Sequence, residues 1–334
     1  MIGSDQPLAF LARELGEQCG PQAFQNPPVA GKYPLPAGDS AMTRSWGELR
    51  ADRARPPTPF LKWAGGKGQV LKTLRPFFPD LGADATYYEP FLGGGAVFFN
   101  LEPARAYLSD TNRALILTYR AVKEDVNELL GRLAEIPPPR SAEEYYDRRA
   151  EFNALVMKTQ PPRRTARTRL AALFIWLNHT CFNGLYRVNS KGQFNVPVGS
   201  YTNPSIYSVD NLRRANRALV KAQAQIEHVD YATALALARE GDFVYLDPPY
   251  EPLSATSSFT SYTKEGFGEK EQERLASALH DAVTRGVKIV LSNSSSPRIR
   301  ELYRDLRVDV LKAPRAINSV GSRRGAVDEI VVVG

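Results

Sequence analysis

One stretch, Thr86-Tyr87-Tyr88-Glu89-Pro90-Phe91-Leu92-Gly93-Gly94-Gly95-Ala96-Val97-Phe98-Phe99, constrains the fold more than any other. It packs a short apolar strand, a glycine turn and the start of a helix into one run. A strand that turns sharply into a helix opens a βα unit of the kind that grips a nucleotide-like cofactor. Glycine lets a backbone approach a ligand closely, and a helix from Gly95 presents free N–H groups in its first turn. Taken alone, such a turn is explained as well by a tight loop. Ala106-Tyr107-Leu108-Ser109-Asp110 adds a second strand, ending in a carboxylate suited to a ribose diol. The glycines do not follow the dinucleotide spacing GxGxxG, and Glu89 beside them opposes a pyrophosphate by charge. A cofactor with a ribose and a cationic amino-acid tail fits instead, which describes S-adenosyl-L-methionine.

A second constraint lies downstream, where the apolar run Phe243-Val244-Tyr245-Leu246 reads as a buried strand and ends in Asp247-Pro248-Pro249-Tyr250. Each proline fixes φ and lacks an N–H, so the backbone after Asp247 is stiff and aims its carbonyls away from its own chain. Asp247 and the Pro248 carbonyl can accept the two hydrogens of an amino group on a flat ring, and Tyr250 offers a face for that ring. That is what alkylation of an exocyclic base nitrogen requires. Read by itself, the tetrapeptide fits a plain strand stop equally well.

In order along the chain, Phe60-Leu61-Lys62-Trp63-Ala64-Gly65-Gly66-Lys67, Glu89-Pro90-Phe91-Leu92-Gly93-Gly94-Gly95, Leu108-Ser109-Asp110 and Asp247-Pro248-Pro249-Tyr250 resemble the Dam-type DNA adenine-N6 methyltransferases. The resemblance continues through Asn183-Gly184-Leu185-Tyr186-Arg187, Phe194-Asn195-Val196-Pro197-Val198-Gly199, Pro252 to Thr256, Ser292-Asn293 and Val327-Asp328-Glu329, from about Pro59 to Gly334. The cofactor motif precedes the catalytic motif with an insert between them, which is the α arrangement of that family. The resemblance implies S-adenosyl-L-methionine as donor, S-adenosyl-L-homocysteine as product, double-stranded DNA as partner and an adenine in GATC as acceptor. It makes Asp247, Pro248, Pro249 and Tyr250 the catalytic residues. The cofactor side falls to Trp63 over the adenine, Lys67 at the carboxylate, and Glu89, Pro90, Phe91, Gly93, Gly95, Asp110 and Asp247 around them. Ser254, Phe259 and Tyr262 would close over an extruded base.

On the DNA side the resemblance picks out Lys62, Phe182, Asn183, Leu185, Arg187, Asn195, Pro197 and Tyr201. Glycines 184 and 192 bracket a basic, aromatic and amide-rich hairpin suited to a groove. Within it Arg187 can pair bidentately with guanine, Leu185 can pack on a thymine methyl, and Phe182 can wedge into the stack as the target base leaves. From spacing alone an exposed turn carrying an ordinary arginine is the simpler reading. Ser200 departs from relatives that carry a basic residue there, which removes one expected phosphate contact. Arg163, Arg164, Arg167 and Arg169 form the densest basic cluster; phosphate contacts and a solvated helix start explain it equally.

The expected architecture is α/β: a Rossmann-like, doubly wound, seven-stranded class I methyltransferase sheet with its last strand antiparallel. The catalytic domain spans 59–124 and 221–334. A mainly helical DNA-recognition lobe, 125–220 with a hairpin at 183–200, is inserted. Helices are expected over Lys67 to Phe78, from Gly95, and over Asn112 to Lys123, Glu143 to Leu155, Arg167 to Leu177 and Leu212 to Val220. Residues 1–58 are proline-rich, read as a flexible extension and receive no function.

Composition agrees with this reading. The 334 residues carry 43 Lys plus Arg against 36 Asp plus Glu, a net charge of +7 that suits a polyanionic partner. Two cysteines and three histidines, Cys19, Cys181, His179, His228 and His280, disfavour a disulfide framework, a metal centre and histidine acid-base chemistry. No apolar run reaches a membrane span, so a soluble, cytoplasmic, bacterial or phage-like monomer without metal is expected. Two other classes remain open: a methyltransferase acting on an RNA base or protein amide, and a non-catalytic DNA-binding relative.

Overall fold

The computed structural model describes residues 55–158, 160, 162–201, 203–250, 267–314 and 326–334. All of these lie in one compact unit, Trp46–Gly334. Strands β1 (Tyr87–Glu89), β2 (Ala106–Ser109), β3 (Gln225–Glu227), β4 (Phe243–Leu246), β5 (Lys288–Ser294), β6 (Arg307–Pro314) and β7 (Ala326–Val333) form one seven-stranded sheet in the order β3-β2-β1-β4-β5-β7-β6. The first five pair in parallel, whereas β7 runs antiparallel to both β5 and β6. The fold is that of a class I methyltransferase, with helices packed on both sides of the sheet.

Side chains alternate along each strand, so one short sequence feeds two cores. Tyr87, Phe243, Tyr245, Val290 and Val331 join the cluster on one face. Their neighbours Tyr88, Val244, Leu246, Leu291 and Val332 join the other. Strands buried on both sides read as continuous apolar runs, as Phe243 to Leu246 does.

Helices α1 (Leu71–Leu74), α2 (Ala96–Leu101), α3 (Arg113–Glu124), α4 (Val126–Ala134), α5 (Ala142–Val156), α6 (Arg164–Thr180) and α7 (Val209–Lys221) precede β3. They are followed by α8 (Tyr231–Leu237), α9 (Glu269–Thr284) and α10 (Pro297–Leu302). Side-chain oxygens of Asn112, Ser141, Ser208 and Asp230 cap the first-turn N–H groups of α3, α5, α7 and α8. The single helix expected over Lys67 to Phe78 is instead a turn of 3₁₀ helix, the four-residue α1 and a second 3₁₀ turn at Arg75–Phe77. Pro76 is the reason α1 stops at Leu74: it has no N–H to donate back, and its ring clashes with the carbonyl one turn earlier.

The helices of residues 125–220 share the apolar cluster of one sheet face. Phe152 of α5 and Phe174 and Trp176 of α6 belong to the same cluster as Tyr87 and Phe243. Eight consecutive residues of α6, Leu170 to Leu177, are buried, so α6 is enclosed on all sides rather than laid on a surface. Among the described residues no helix is long and apolar enough to cross a membrane, and no group of His, Cys, Asp and Glu is arranged to hold a metal ion.

Candidate functional site

Because β1, β2 and β4 are parallel, they end at one edge of the sheet. The chain runs outward from β1 to β2 and β3, then crosses back to β4, so the crevice beyond β1 and β4 is the topological switch point, the ligand site of open α/β sheets. The glycine turn leaves β1 there, Asp110 follows β2 and Asp247 follows β4. Three stretches far apart in sequence therefore converge.

The turn is held open by glycine where a side chain would collide. Gly93 has φ +46°, and a Cβ there would meet the Trp63 indole at 2.7 Å; Gly95 has φ +65°, and a Cβ there would meet the Tyr119 hydroxyl at 2.7 Å. Trp63 lies against the turn on one side and stacks on Tyr186 on the other, with ring centroids 5.9 Å apart. Asp110 Oδ2 accepts from Gly93 N at 3.1 Å and Oδ1 from Asn112 N at 2.8 Å, bracing the turn against β2. Burial pushes the Asp110 carboxyl up to about 6 despite these donors. Phe91 stacks on Tyr231 of α8 at 5.3 Å, and Pro90 is buried beneath it.

Glu89 behaves differently from the charge expected of it. Its Oε2 accepts from the Tyr87 hydroxyl at 2.8 Å and from Phe98 N, a first-turn amide of α2, at 3.1 Å. It is 3% exposed, and burial pushes its carboxyl up to about 8, so it is mostly uncharged at neutral pH. The charge argument against a pyrophosphate therefore loses its footing in this structure. The glycine cradle, the indole and the Asp110 carboxylate still fit a nucleoside with an amino-acid tail.

On the other side of the crevice, Lys67 is 5% exposed and turns its ammonium toward Asp247 and Tyr250. Nζ lies 2.8 Å from Asp247 Oδ1, donates to the Tyr250 hydroxyl at 2.9 Å and to the Gly65 carbonyl at 3.3 Å, and sits 4.7 Å from the Tyr250 ring centroid. Ser292 Oγ donates to Asp247 Oδ1 at 3.2 Å and is itself 2.9 Å from the Tyr245 hydroxyl. Burial raises the Asp247 carboxyl above its ordinary range, against the pull of Lys67 and Ser292. Lys67 thus meets Asp247 and Tyr250 in this structure, whereas the resemblance assigned it to the cofactor carboxylate.

With this geometry in view, a sequence model of the D12 class N6 adenine-specific DNA methyltransferases matches residues 63–317. The chain belongs to that family. It is 40% identical over 275 residues to the Type II methyltransferase M1.LlaDCHI of Lactococcus lactis subsp. cremoris, covering 82% of this chain and 94% of that protein. Type II methyltransferase M.MjaIII of Methanocaldococcus jannaschii is 40% identical over 281 residues, covering 80% and 94%. The DNA adenine methylase of Escherichia coli K12 is 37% identical over 276 residues, covering 82% and 94%. The protein is a DNA adenine-N6 methyltransferase, and S-adenosyl-L-methionine is the methyl donor that membership implies.

The candidate DNA side of this methyltransferase gathers around Lys62 and the hairpin. Lys62, one residue before Trp63, is fixed through its backbone by Asn178, which accepts from its N at 2.7 Å and donates to its carbonyl at 2.8 Å. Its ammonium lies over the exposed ring of Tyr201 at 4.4 Å, and a Cβ on Gly184 would strike its side chain at 2.6 Å. Bridges Cys181 to Val198 and Val188 to Phe194 define the hairpin, closed by Asn189 Oδ1 accepting from Lys191 N and Gln193 N. Phe182 is 49% exposed and donates its N–H to the Pro197 carbonyl, while Asn183 adopts φ +54°. Arg187 is exposed, and its Nε donates to Asn195 Oδ1 at 2.8 Å. Leu185 is half-buried against the core cluster.

The basic cluster of α6 has acidic partners. Arg164 pairs with Asp125 and Glu128, Arg167 with Glu124 and Asp125, and Arg169 with both oxygens of Glu151. These pairs tie α6 to its neighbours. Ser254, Phe259 and Tyr262 lie outside the described residues. Sequence reasoning passed over Asn178, which is 2% exposed; an asparagine within a helical apolar run was its one signal.

Proposed function

We propose that this methyltransferase modifies N6 of an adenine flipped out of double-stranded DNA within GATC, acting as a cytoplasmic monomer. In this reading residues 59–124 and 221–334 carry the chemistry, and 125–220 carries recognition. The observation that carries the catalytic part is the Lys67 ammonium. It is an amine nitrogen hydrogen-bonded to Asp247 and set over the Tyr250 ring, the two contacts a stacked base offering its amino group would make. A base entering this site would displace it.

The amino lone pair of adenine is delocalised into the ring, so the nitrogen is a poor nucleophile until the site localises that pair. Asp247 Oδ1 and the Pro248 carbonyl accept the N6 hydrogens and hold them more strongly as the nitrogen becomes tetrahedral. Tyr250 keeps the base flat and in line. Bound S-adenosyl-L-methionine supplies an electrophilic methyl group. Trp63, the turn at Gly93 to Gly95 and Asp110 would hold it. The proton released from N6 leaves through Asp247 Oδ1 or water.

Extrusion is supported by Phe182, an exposed aromatic on the hairpin suited to filling the space a departing base leaves. GATC rests on the hairpin motif Asn183 to Arg187 and on Lys62. Labelled methyl groups offered with duplex DNA, RNA and protein in parallel should enter duplex DNA alone, and sequencing should place them on the adenine of GATC. Label in RNA or protein, or at other sequences, would overturn the corresponding part. Asp247→Ala should abolish transfer while DNA binding persists, and wild-type turnover in that variant would sink the acceptor role.

A further inference from the structure

Gln272 lies in the first turn of α9 within the charged run Glu269-Lys270-Glu271-Gln272-Glu273, yet it is 1% exposed. A buried amide must place its donors and its acceptor. Gln272 Nε2 donates to the Pro249 carbonyl at 3.1 Å, and Oε1 accepts from Asn293 Nδ2 at 3.0 Å. Asn293, fully buried on β5, accepts from Ser294 N at 2.7 Å through Oδ1. A backbone N–H can only donate, so Oδ1 of Asn293 must face it. Nδ2 then faces Gln272, and the Gln272 amide has one permitted orientation, with its N–H toward Pro249.

We propose that Gln272 is a positioning residue for methyl transfer, acting on Tyr250 through the Pro249 carbonyl. The inference rests on the reading of Asp247 to Tyr250 as the reacting loop. Pro248 and Pro249 have no N–H, so these two residues can be held from behind by hydrogen bonds only through their carbonyls. The Pro249 carbonyl belongs to the peptide plane that carries the Tyr250 nitrogen; a donor fixed on it sets that plane and hence where the phenol ring points. Adjacent residues of β5 therefore hold the two ends of the motif. Ser292 donates to Asp247 directly, and Asn293 reaches Pro249 through Gln272.

The test compares Gln272→Met, Gln272→Glu and Asp247→Ala in the full chain. Gln272→Met keeps the length and removes the donor. Its kcat on duplex DNA should fall about ten- to a hundredfold, the scale of a small misplacement of a reacting group. S-adenosyl-L-methionine binding, read by equilibrium dialysis, should be unchanged. In Gln272→Glu a protonated carboxyl can donate to Pro249 and an ionised one cannot. Its kcat should approach wild type as pH falls and drop as pH rises, a limb the wild type lacks. Wild-type turnover in Gln272→Met, or a Gln272→Glu profile parallel to wild type, would overturn the proposal. Recovery of both Gln272 variants only as unfolded protein would make Gln272 a support of the fold alone and overturn it equally. If Asp247→Ala also turned over normally, the reading of the loop itself would fail; an inactive Asp247→Ala beside a normal Gln272→Met would sink only the positioning role.

Discussion

Glu89 shows how burial reverses what a residue's formula suggests. A carboxylate beside a glycine turn carries a charge on paper, but here it is enclosed between β1 and α2 and accepts the Tyr87 and Phe98 hydrogens. Its folded pKa of about 8 stands above the ordinary 4.5, so the folded chain keeps a proton that the unfolded chain loses. The stability this contributes is complete below the lower value and lost as pH rises through the upper one, a fall of up to about 5 kcal/mol. Glu89→Gln keeps an oxygen for both donors and has no proton to lose. Urea midpoints between pH 6 and pH 9 should therefore decline less in the variant than in the wild type; parallel declines would mean that Glu89 is ionised in the fold.

Among the elements, the hairpin joins local sequence to candidate function most directly. Asn189 builds the turn with its own side chain, and Asn195 on the returning arm holds Nε of the exposed Arg187, a bond that does not use the fork of two Nη groups. That fork suits the paired acceptors of guanine. Arg187→Ala should lose roughly 1 to 3 kcal/mol of discrimination at one guanine, seen as relaxation at a single position when methylated sites are sequenced. Asn195→Ala should relax the same position by about 1 kcal/mol, the worth of one hydrogen bond. Uniform weakening on every sequence with a shallower salt slope would make Arg187 a phosphate contact instead. Helix starts were legible from Asn112 and the glycine turn, because a cap is a local bond. The helix expected from Lys67 was misjudged at Pro76, whose break a periodicity count overlooks.

For the whole molecule, the apolar cluster that runs from the sheet through α3 into α5 and α6 implies that residues 125–220 and the sheet unfold together. Trp176, fully buried with its indole N–H on the Pro137 carbonyl, sits in the part of that cluster farthest from the strands in sequence. Trp176→Ala should cost about 3 to 5 kcal/mol and lower a single cooperative transition; two separate transitions would show that the lobe has its own core. The amino-acid sequence by itself determined the strands at Tyr87, Ala106 and Phe243, the glycine turn, the order of the motifs and the family, because short apolar runs, turn chemistry and short motifs are written within a few residues of one another. Only the tertiary structure decided that Lys67 meets Asp247 and Tyr250, that acids on α3, α4 and α5 take up the arginines of α6, and that Gln272 faces Pro249. Such partners lie far apart in the chain, and both their pairing and their protonation depend on how completely the packed fold excludes water.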